Sequence, residues 1–348
     1  MTENRVWYST REAVKSALDI KLTARSDAQV DRAIESASRA VEGLLHRRFY
    51  PERRTMTFDW PNSQHARPWR LWLDANELVD VDVLMVAGEE IPSSDYFLRP
   101  DDGPPYTRLE IDLDSSAAFS AGGTHQRAIS ITGLYGYRAD ESPSGTLTEA
   151  LDSSETSVDV SDSAAIGVGD ILRVGTERMV VTGKAMASTA QTLQDPLTTS
   201  NADATVQVTD GTAFQVDEVV LLDAERMLIV DVAGNNLIVK RAWDGSVLAA
   251  HTGSTIYAPR TLAVQRGALG TTAASHDSGA SIARHEVPGL VRELCEAEAI
   301  NTLLQRQSGY ARVAGSGDNQ REVAGRALRD IRDQAYTAYG RKARIRGV

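Results

Sequence analysis

The sequence predicts an α+β fold, with a helical core, a small β-sheet and an inserted tandem β-barrel or sandwich module. Three observations support this prediction. Apolar residues recur at helical spacing near the N-terminus and again after residue 287. Between residues 55 and 137 apolar and polar residues alternate, as they do in half-buried strands. From Val158 to Ile229 one valine-rich pattern occurs twice at a constant offset of 48 residues, which indicates a duplicated supersecondary unit.

The N-terminal segment predicts two helices. Ser9 and Glu12 have the spacing of a capping box, so a short helix is expected from Arg11 to Asp19. A second helix of about twenty residues should start at Ser26–Asp27, because apolar residues follow at helical spacing. It should end near His46–Arg48, ahead of Pro51.

Six short alternating runs between Thr55 and Tyr137 predict a small sheet packed by aromatic side chains. The polar stretch Ala139–Gly145, ADESPSG, is predicted to be a linker and the first domain boundary. The aromatic residues expected to pack this sheet are Trp60, Trp69, Trp72, Tyr96 and Tyr135.

The duplicated pattern is predicted to be β structure between Thr146 and Ala283, forming one or two small barrels or sandwiches. Glu177-Arg178-Met179 recurs as Glu225-Arg226-Met227, which we interpret as a strand pair with one ion pair and one core methionine. A second internal similarity, between Leu237–Ile256 and Leu262–Ile282, aligns Arg241 with Arg266 and His251 with His276. Repetition of a histidine at equivalent turns favours a structural hydrogen bond over catalysis.

Helix is predicted again from Val287, with Pro288 at the first helical position. A loop, residues 308–319, separates it from a last helix capped by Asp318 or Asn319 and ending at Gly340. The predicted domains are residues 1–138 and 286–348, which together form the core, and residues 146–283, which are inserted into it.

Composition narrows the possible functions. The net charge is −11, divided as −6 over residues 1–145, −9 over 146–283 and +4 over 284–348. An acidic body argues against a tight nucleic-acid clamp, which needs clustered Lys and Arg. No apolar run approaches the length of a membrane span and no signal peptide is visible, so assembly in the cytoplasm is expected. The single cysteine, Cys295, is interpreted as a small buried apolar residue.

No motif predicts catalysis, a cofactor or a metal, and the chain is expected not to be an enzyme. The histidines have no metal-ligand spacing, and Ser275-His276-Asp277 are only sequence neighbours. Gly315-Ser316-Gly317 lacks the rest of a phosphate loop. The acidic turns at Asp101-Asp102 and Asp112/Asp114 are interpreted as solvated loops, with weak cation binding as the alternative.

The C-terminus ends in a small basic run, GRKARIRGV. Its cations are expected either to be a solvated helix end favoured by the helix dipole or to contact an acidic partner surface or DNA. Residues after Gly340 are expected to become ordered only on contact with a neighbouring protein. The candidate partner-contacting residues are Arg341, Lys342, Arg344 and Arg346.

Both flanks together resemble the head–tail connector adaptor proteins of long-tailed bacteriophages. The long helix ends in Arg47-Arg48-Phe49-Tyr50, the small sheet ends in a tyrosine/glycine corner, and a proline-started helix follows. The remaining matching positions are Gly133, Tyr135, Gly136, Pro288, Ala297 and Ala299. The resemblance covers roughly residues 9–138 and 286–338, and the chain departs from the family in the long repeat between them.

The resemblance implies a non-enzymatic ring, a dodecamer, at the head–tail junction of a virion assembled in the host cytoplasm. The ring would dock on the portal protein and provide the platform for stopper and tail-completion proteins. We separately expect the C-terminal cations to make the portal contact. DNA would pass through its lumen without sequence-specific binding, and no membrane would be involved. Two alternatives remain: a virion accessory or tail protein whose β-repeats bind a glycan or host surface, and a carbohydrate-active virion hydrolase.

Overall fold

A computed structural model of the chain describes residues 6–18, 26–61, 67–307, 313–314, 321–322 and 326–341. Within them the fold is mixed α+β, with four helices and antiparallel sheets. The helices are α1 Arg11–Ala17, α2 Asp27–Leu45, α3 Gly289–Gln307 and α4 Arg326–Tyr339.

The predicted starts and ends of the helices are partly right. α2 ends as expected, because His46 adopts a left-handed conformation (φ 54°). At α1, the N-cap is Thr10, whose Oγ1 accepts a hydrogen bond from the Ala13 N–H at 3.2 Å, so the Ser9–Glu12 capping box is wrong. The predicted start of the last helix is also wrong: Asp318 and Asn319 lie outside the described residues, and α4 begins only at Arg326, after a short strand.

The four helices contribute to one apolar cluster, although they come from opposite ends of the chain. Val14 of α1, Ile34 of α2, Leu294 of α3 and Ala335 of α4 are all fully buried in it. Their apolar positions recur at three- and four-residue spacing, so one face of each helix turns inward. Trp7 and Tyr137 pack against the same cluster.

The strands that follow α2 form two small antiparallel sheets, in the orders β1-β7-β3-β4 and β2-β6-β5. They share a second apolar cluster, to which the predicted aromatic residues Trp60, Trp69, Tyr96 and Tyr135 belong. The strands are β1 Glu52–Phe58, β2 Arg70–Trp72, β3 Leu78–Val86, β4 Glu89–Ile91, β5 Tyr96–Arg99, β6 Arg108–Ile111 and β7 Ile129–Tyr135.

The repeat region forms one ten-stranded sheet with two open ends, so among the described strands the predicted closed barrels are absent. It follows the path β12-β15-β14-β13-β16-β11-β10-β17-β8, with β9 paired to β16. The strands are β8 Glu141–Thr146, β9 Ser157–Asp159, β10 Ile171–Val174, β11 Glu177–Thr192, β12 Thr205–Gln207, β13 Val219–Leu222, β14 Glu225–Ala233, β15 Asn236–Lys240, β16 Thr255–Gln265 and β17 Ser281–His285.

The second copy of the repeat lies inside the first. The chain leaves the first repeat unit (residues 147–184 and 261–282) along β11, forms the second repeat unit (residues 193–257) and returns along β16. Each unit has its own apolar cluster, with Met179 buried in one and Met227 in the other, as predicted. Because β11 and β16 run through both units, the two sheets merge instead of closing separately.

Two segments predicted to be irregular are strands. Within the predicted linker, β8 pairs with β17 at the edge of the large sheet, where a proline such as Pro143 is tolerated. Within the predicted loop 308–319, Val313–Ala314 forms β18, which pairs with β19 at Arg321–Glu322. The remaining residues of that loop, including Gly315-Ser316-Gly317, lie outside the described residues.

Candidate partner interfaces

One end of the helical cluster is an aromatic corner that unites residues distant in sequence. Phe49, next to the end of α2, lies with its ring centroid 5.3 Å from that of Tyr137 and 6.1 Å from that of Tyr339 at the end of α4. Tyr8 packs edge-on against Phe49 at 5.7 Å and donates its hydroxyl proton to Glu42 at 2.7 Å. Phe49 is therefore enclosed by three segments and is only 1% exposed.

Arg341, the first of the four predicted partner-contacting cations, is held at this corner by its own chain. Its N–H donates to the Leu45 carbonyl at 3.0 Å, and its guanidinium donates to the Ala75 carbonyl at 3.1 Å. The expectation that residues after Gly340 order only on contact with a partner is therefore wrong for Arg341. Lys342, Arg344 and Arg346 lie outside the described residues.

Glu77 explains why Arg341 is held there. Its side chain is 4% exposed, and its Oε1 lies 3.3 Å from the Arg341 guanidinium and 3.2 Å from Nε of Arg47. Burial of a carboxylate costs free energy unless cations lie next to it. The two arginines and Glu77 therefore stabilise one another's positions. Sequence analysis missed Glu77, because its partners are 30 residues away on one side and 264 on the other.

Beside Glu77 lies a cavity of about 270 Å³, which we call the arginine cavity. Its walls include Arg48, Arg54 and Tyr135. The Arg54 guanidinium lies over the Tyr135 ring at 4.9 Å, and its buried Nε has no hydrogen-bond acceptor among the described residues. The side chain of Arg48 is 53% exposed and pairs with Glu52 at 3.3 Å. Glu42, Glu52 and Glu77 also line the arginine cavity, so its three arginines are matched by carboxylates of the same chain.

A larger cavity of about 470 Å³ lies between α1, the first unit and the second unit. Asp170 lies in its wall, and burial raises the pKa of this carboxyl to about 6, even though Oδ2 accepts a hydrogen bond from the Gly167 N–H at 2.7 Å. Lys15 of α1 also lines the cavity and forms an ion pair with Asp244 of the second unit at 3.0 Å. The cavity contains acidic and basic groups in balance, so it does not favour ligands of one charge.

The two repeat units contain the same buried polar network. In the first unit Arg266 and His276 bind the carboxylate of Glu177, at 2.7 and 2.9 Å. In the second, Arg241 and His251 bind Glu225 at 2.8 and 2.9 Å. Backbone N–H groups complete both sets, from Gly267 and Ala274 in one and from Ala242 and Ala249 in the other.

This network confirms the structural interpretation of the repeated histidines. Burial alone would raise the pKa of both glutamates, but the arginine, histidine and backbone hydrogen bonds lower it to about 2. His276 donates a hydrogen bond to the Glu177 carboxylate and not to Ser275 or Asp277, so the neighbouring triad residue types form no triad. The glutamate of each Glu-Arg-Met motif does form the predicted ion pair. Its partner is Arg266 or Arg241 of the second internal similarity, and not Arg178 or Arg226 of the motif itself.

Cys295 is buried, as predicted, and its thiol lies 3.4 Å from the Ser38 hydroxyl between α2 and α3. Burial raises the pKa of this thiol to about 11. Within the described residues no group of three or more His, Cys, Asp or Glu is arranged to hold a metal ion. None of the helices in those residues is long and apolar enough to cross a membrane.

Comparison of the chain with models of known families, with curated proteins and with solved structures gives no match.

Proposed function

We propose that this chain is a structural head-to-tail connector of a phage virion, an adaptor without enzymatic activity. Copies of it would form a ring of about twelve, because head-to-tail contacts that close by rotation generate rings. The ring would dock on the portal protein and provide the platform for stopper and tail-completion proteins. Its acidic surface would let DNA pass through the lumen without sequence-specific binding.

The aromatic corner is the observation that most supports this proposal. The residues on which the resemblance to adaptors depends, Arg47–Tyr50 and Tyr135-Gly136, lie together there with the end of α4. The backbone bond from Arg341 to Leu45 fixes the start of the basic C-terminal run at this corner. We propose that Lys342, Arg344 and Arg346 make the portal contact, with Arg341 as their fixed base.

The domain division belongs to the same proposal, in which residues 1–138 and 286–348 form the adaptor core and the β-repeats are an insertion. One contact refines it. Ile171, Val180, Ala268 and Leu269 of the first unit are buried in the helical cluster, so the first unit would belong to the core. Only the second unit would then be separable from the ring.

Virions of a phage that encodes this chain test the proposal. A nonsense mutation in its gene should yield filled heads and complete tails that do not join, and supplying the intact gene should restore joining. Truncation after Arg341 should leave the chain folded and weaken its binding to purified portal. Normal joining without the protein would contradict the connector function.

A second function is favoured by one observation. The second unit has its own core and presents exposed apolar residues, including Val216, Val230 and Val247. Such a face suits a module that binds a glycan or host surface. Particles that lack only the second unit can be tested for assembly and for adsorption to cells. Normal assembly without adsorption would show that the repeat serves host binding and not connection.

A further inference from the structure

Arg178 of the first unit is a buried cation without a counter-ion. The residue is 9% exposed, and within the described part of the chain none of its guanidinium N–H groups donates a hydrogen bond. Burial lowers the pKa of this side chain, and the charges of Arg173 and Arg53 lower it further. Because an unpaired buried charge costs free energy, an anion from outside these residues would stabilise the site.

The equivalent arginine of the second unit has the counter-ion that Arg178 lacks. The Arg178 N–H donates to Thr271 Oγ1 at 2.9 Å, and the Arg226 N–H donates to Ser246 Oγ at 3.0 Å. The two arginines therefore lie beside equivalent loops. In the second unit, Asp244 of that loop pairs with the Arg226 guanidinium at 3.4 Å.

In the first unit, Leu269 takes the position of Asp244. Each residue lies two positions before the hydroxyl residue of its loop, and both have a left-handed backbone, with φ 55° at Leu269 and 50° at Asp244. Leu269 is fully buried in the helical cluster. The first unit thus has the arginine of the pair without its carboxylate.

The neighbouring charges leave Arg178 unmatched. Arg173 is its direct cross-strand partner between β10 and β11. Like charges in such a pair destabilise a sheet, because the Cβ atoms are only about 4.5–5.5 Å apart. Glu141 accepts a hydrogen bond from Arg173 at 2.7 Å, and Asp82 pairs with Arg53 at 2.9 Å. Three arginines thus share two carboxylates, and one positive charge remains on Arg178.

The surroundings of Arg178 favour a ligand with a single negative charge. Its guanidinium nitrogen atoms are not sealed from solvent, in contrast to the buried Nε of Arg54. The side chains of Arg173 and Arg53 are 38% and 51% exposed. The carboxylates that bind these two arginines repel a polyanion such as DNA more strongly than they repel one carboxylate.

We infer that Arg178 is a binding site for a carboxylate of a partner protein, the side chain of an aspartate or glutamate. This carboxylate would pair with Arg178 from outside the chain, as Asp244 pairs with Arg226 inside it. A guanidinium can donate to both oxygens of a carboxylate, which makes such a contact specific in orientation as well as in charge. The inference goes beyond the connector function and does not depend on it.

A peptide titration of the full chain tests this site. The probe is a glycine pentapeptide with capped ends and one central aspartate, and the matched control peptide has asparagine instead. Nuclear magnetic resonance of the arginine Nε–H groups follows binding, and the Arg178 signal is assigned as the one missing from Arg178→Met. The aspartate peptide should shift this signal saturably and bind at least about tenfold more tightly than the asparagine peptide, because only the aspartate supplies a charge.

Three variants locate the binding, and circular dichroism checks that they fold. Arg178→Met removes the guanidinium and should abolish the shifts of the Arg173 and Arg53 signals that the aspartate peptide causes. Arg178→Lys keeps the charge and should retain weaker binding, since it lacks the planar fork. Arg226→Met, the matched control on the second unit, should bind the peptide like the unmodified chain.

Equal binding of the two peptides, no saturable shift of the Arg178 signal, or unchanged binding in Arg178→Met would overturn the inference. Tighter binding of inorganic phosphate or of a short DNA duplex than of the aspartate peptide would also overturn it, because the site would then recognise phosphate. None of these results bears on the location of the protein in the virion, which tests the connector function separately.

Discussion

The stability of the fold should depend strongly on Glu225, because its carboxylate and its partner Arg241 are both fully buried. We expect Glu225→Ala to lower the free energy of unfolding by about 3–5 kcal/mol, since it leaves an uncompensated buried guanidinium. Urea denaturation measures this. The control is Asp223→Ala, whose side chain is 62% exposed and contacts the same histidine, with an expected loss below about 1 kcal/mol. Equal losses in the two variants would show that the network does not stabilise the fold.

Low pH should lower the free energy of unfolding, because it protonates carboxylates that are ionised in the folded chain. The pKa values of Glu177, Glu225 and Glu286 are lowered to about 2 in the folded chain, against about 4.5 in the unfolded one. Folded groups with lowered pKa values contribute stability that is complete above the unfolded pKa and is lost as pH falls towards the folded one. The melting temperature should therefore fall steeply between about pH 4.5 and 2. A melting temperature unchanged down to pH 2.5 would contradict this.

Ionisation of Asp170 should lower the free energy of unfolding as pH rises, which is the opposite pH dependence. Its pKa is raised from 3.8 to about 6, so the folded state favours the protonated form, and ionisation destabilises the fold as pH rises through 6. Asp170→Asn keeps an acceptor for the Gly167 N–H and should raise the free energy of unfolding at pH 8 by on the order of 2 kcal/mol. At pH 4 the gain should nearly vanish. The same gain at both pH values would mean that charge is not the cause.

Residue roles that depend on repetition could be predicted from the sequence, and those that depend on distant contacts could not. The alignment of His251 with His276 was enough to indicate a structural role. Glu77 and Arg54 carry no motif, because their environment is created by chain segments far apart in sequence.

At the scale of elements, Gly270 joins the first unit to the small sheet. A Cβ at this residue would lie only 1.8 Å from the Arg53 carbonyl of β1, and φ is +77°. Gly270→Ala should therefore lower the free energy of unfolding by several kcal/mol, about 3 or more, through backbone strain plus displacement of β1. Gly279→Ala is the control, because φ is +81° there and no atom lies within 4 Å. Similar losses for both would mean that strain alone, not docking, requires glycine at 270.

The elements were predicted well where one periodicity continues and poorly where a segment depends on a partner. α2 has seven buried positions at helical spacing, and its predicted end at His46 was confirmed. β8 was mistaken for a linker, because an edge strand tolerates Ser, Pro and Gly that usually indicate a turn. Whether the repeat closes into barrels could not be decided from its alternating apolar and polar residues. Two merged sheets and two separate barrels have the same alternating pattern.

For the whole molecule, the nested arrangement predicts which part can be removed. Ala187 and Ala258 are cross-strand partners, so residues 188–257 can be replaced by a two-residue Asn-Gly turn. The shortened chain should keep its helical content and unfold cooperatively, as measured by circular dichroism. Deleting residues 146–283 instead removes Ile171, Val180, Ala268 and Leu269 from the helical cluster, and that chain should not fold stably. Equal behaviour of the two deletions would contradict the nested arrangement.

A cryo-electron microscopy reconstruction of the neck of the intact virion tests the connector function most directly. We expect a ring of copies of this chain between portal and tail. The aromatic corner and the basic C-terminus should face the portal. Density for the chain at the tail tip, on fibres or on the capsid surface, with none at the neck, would contradict it.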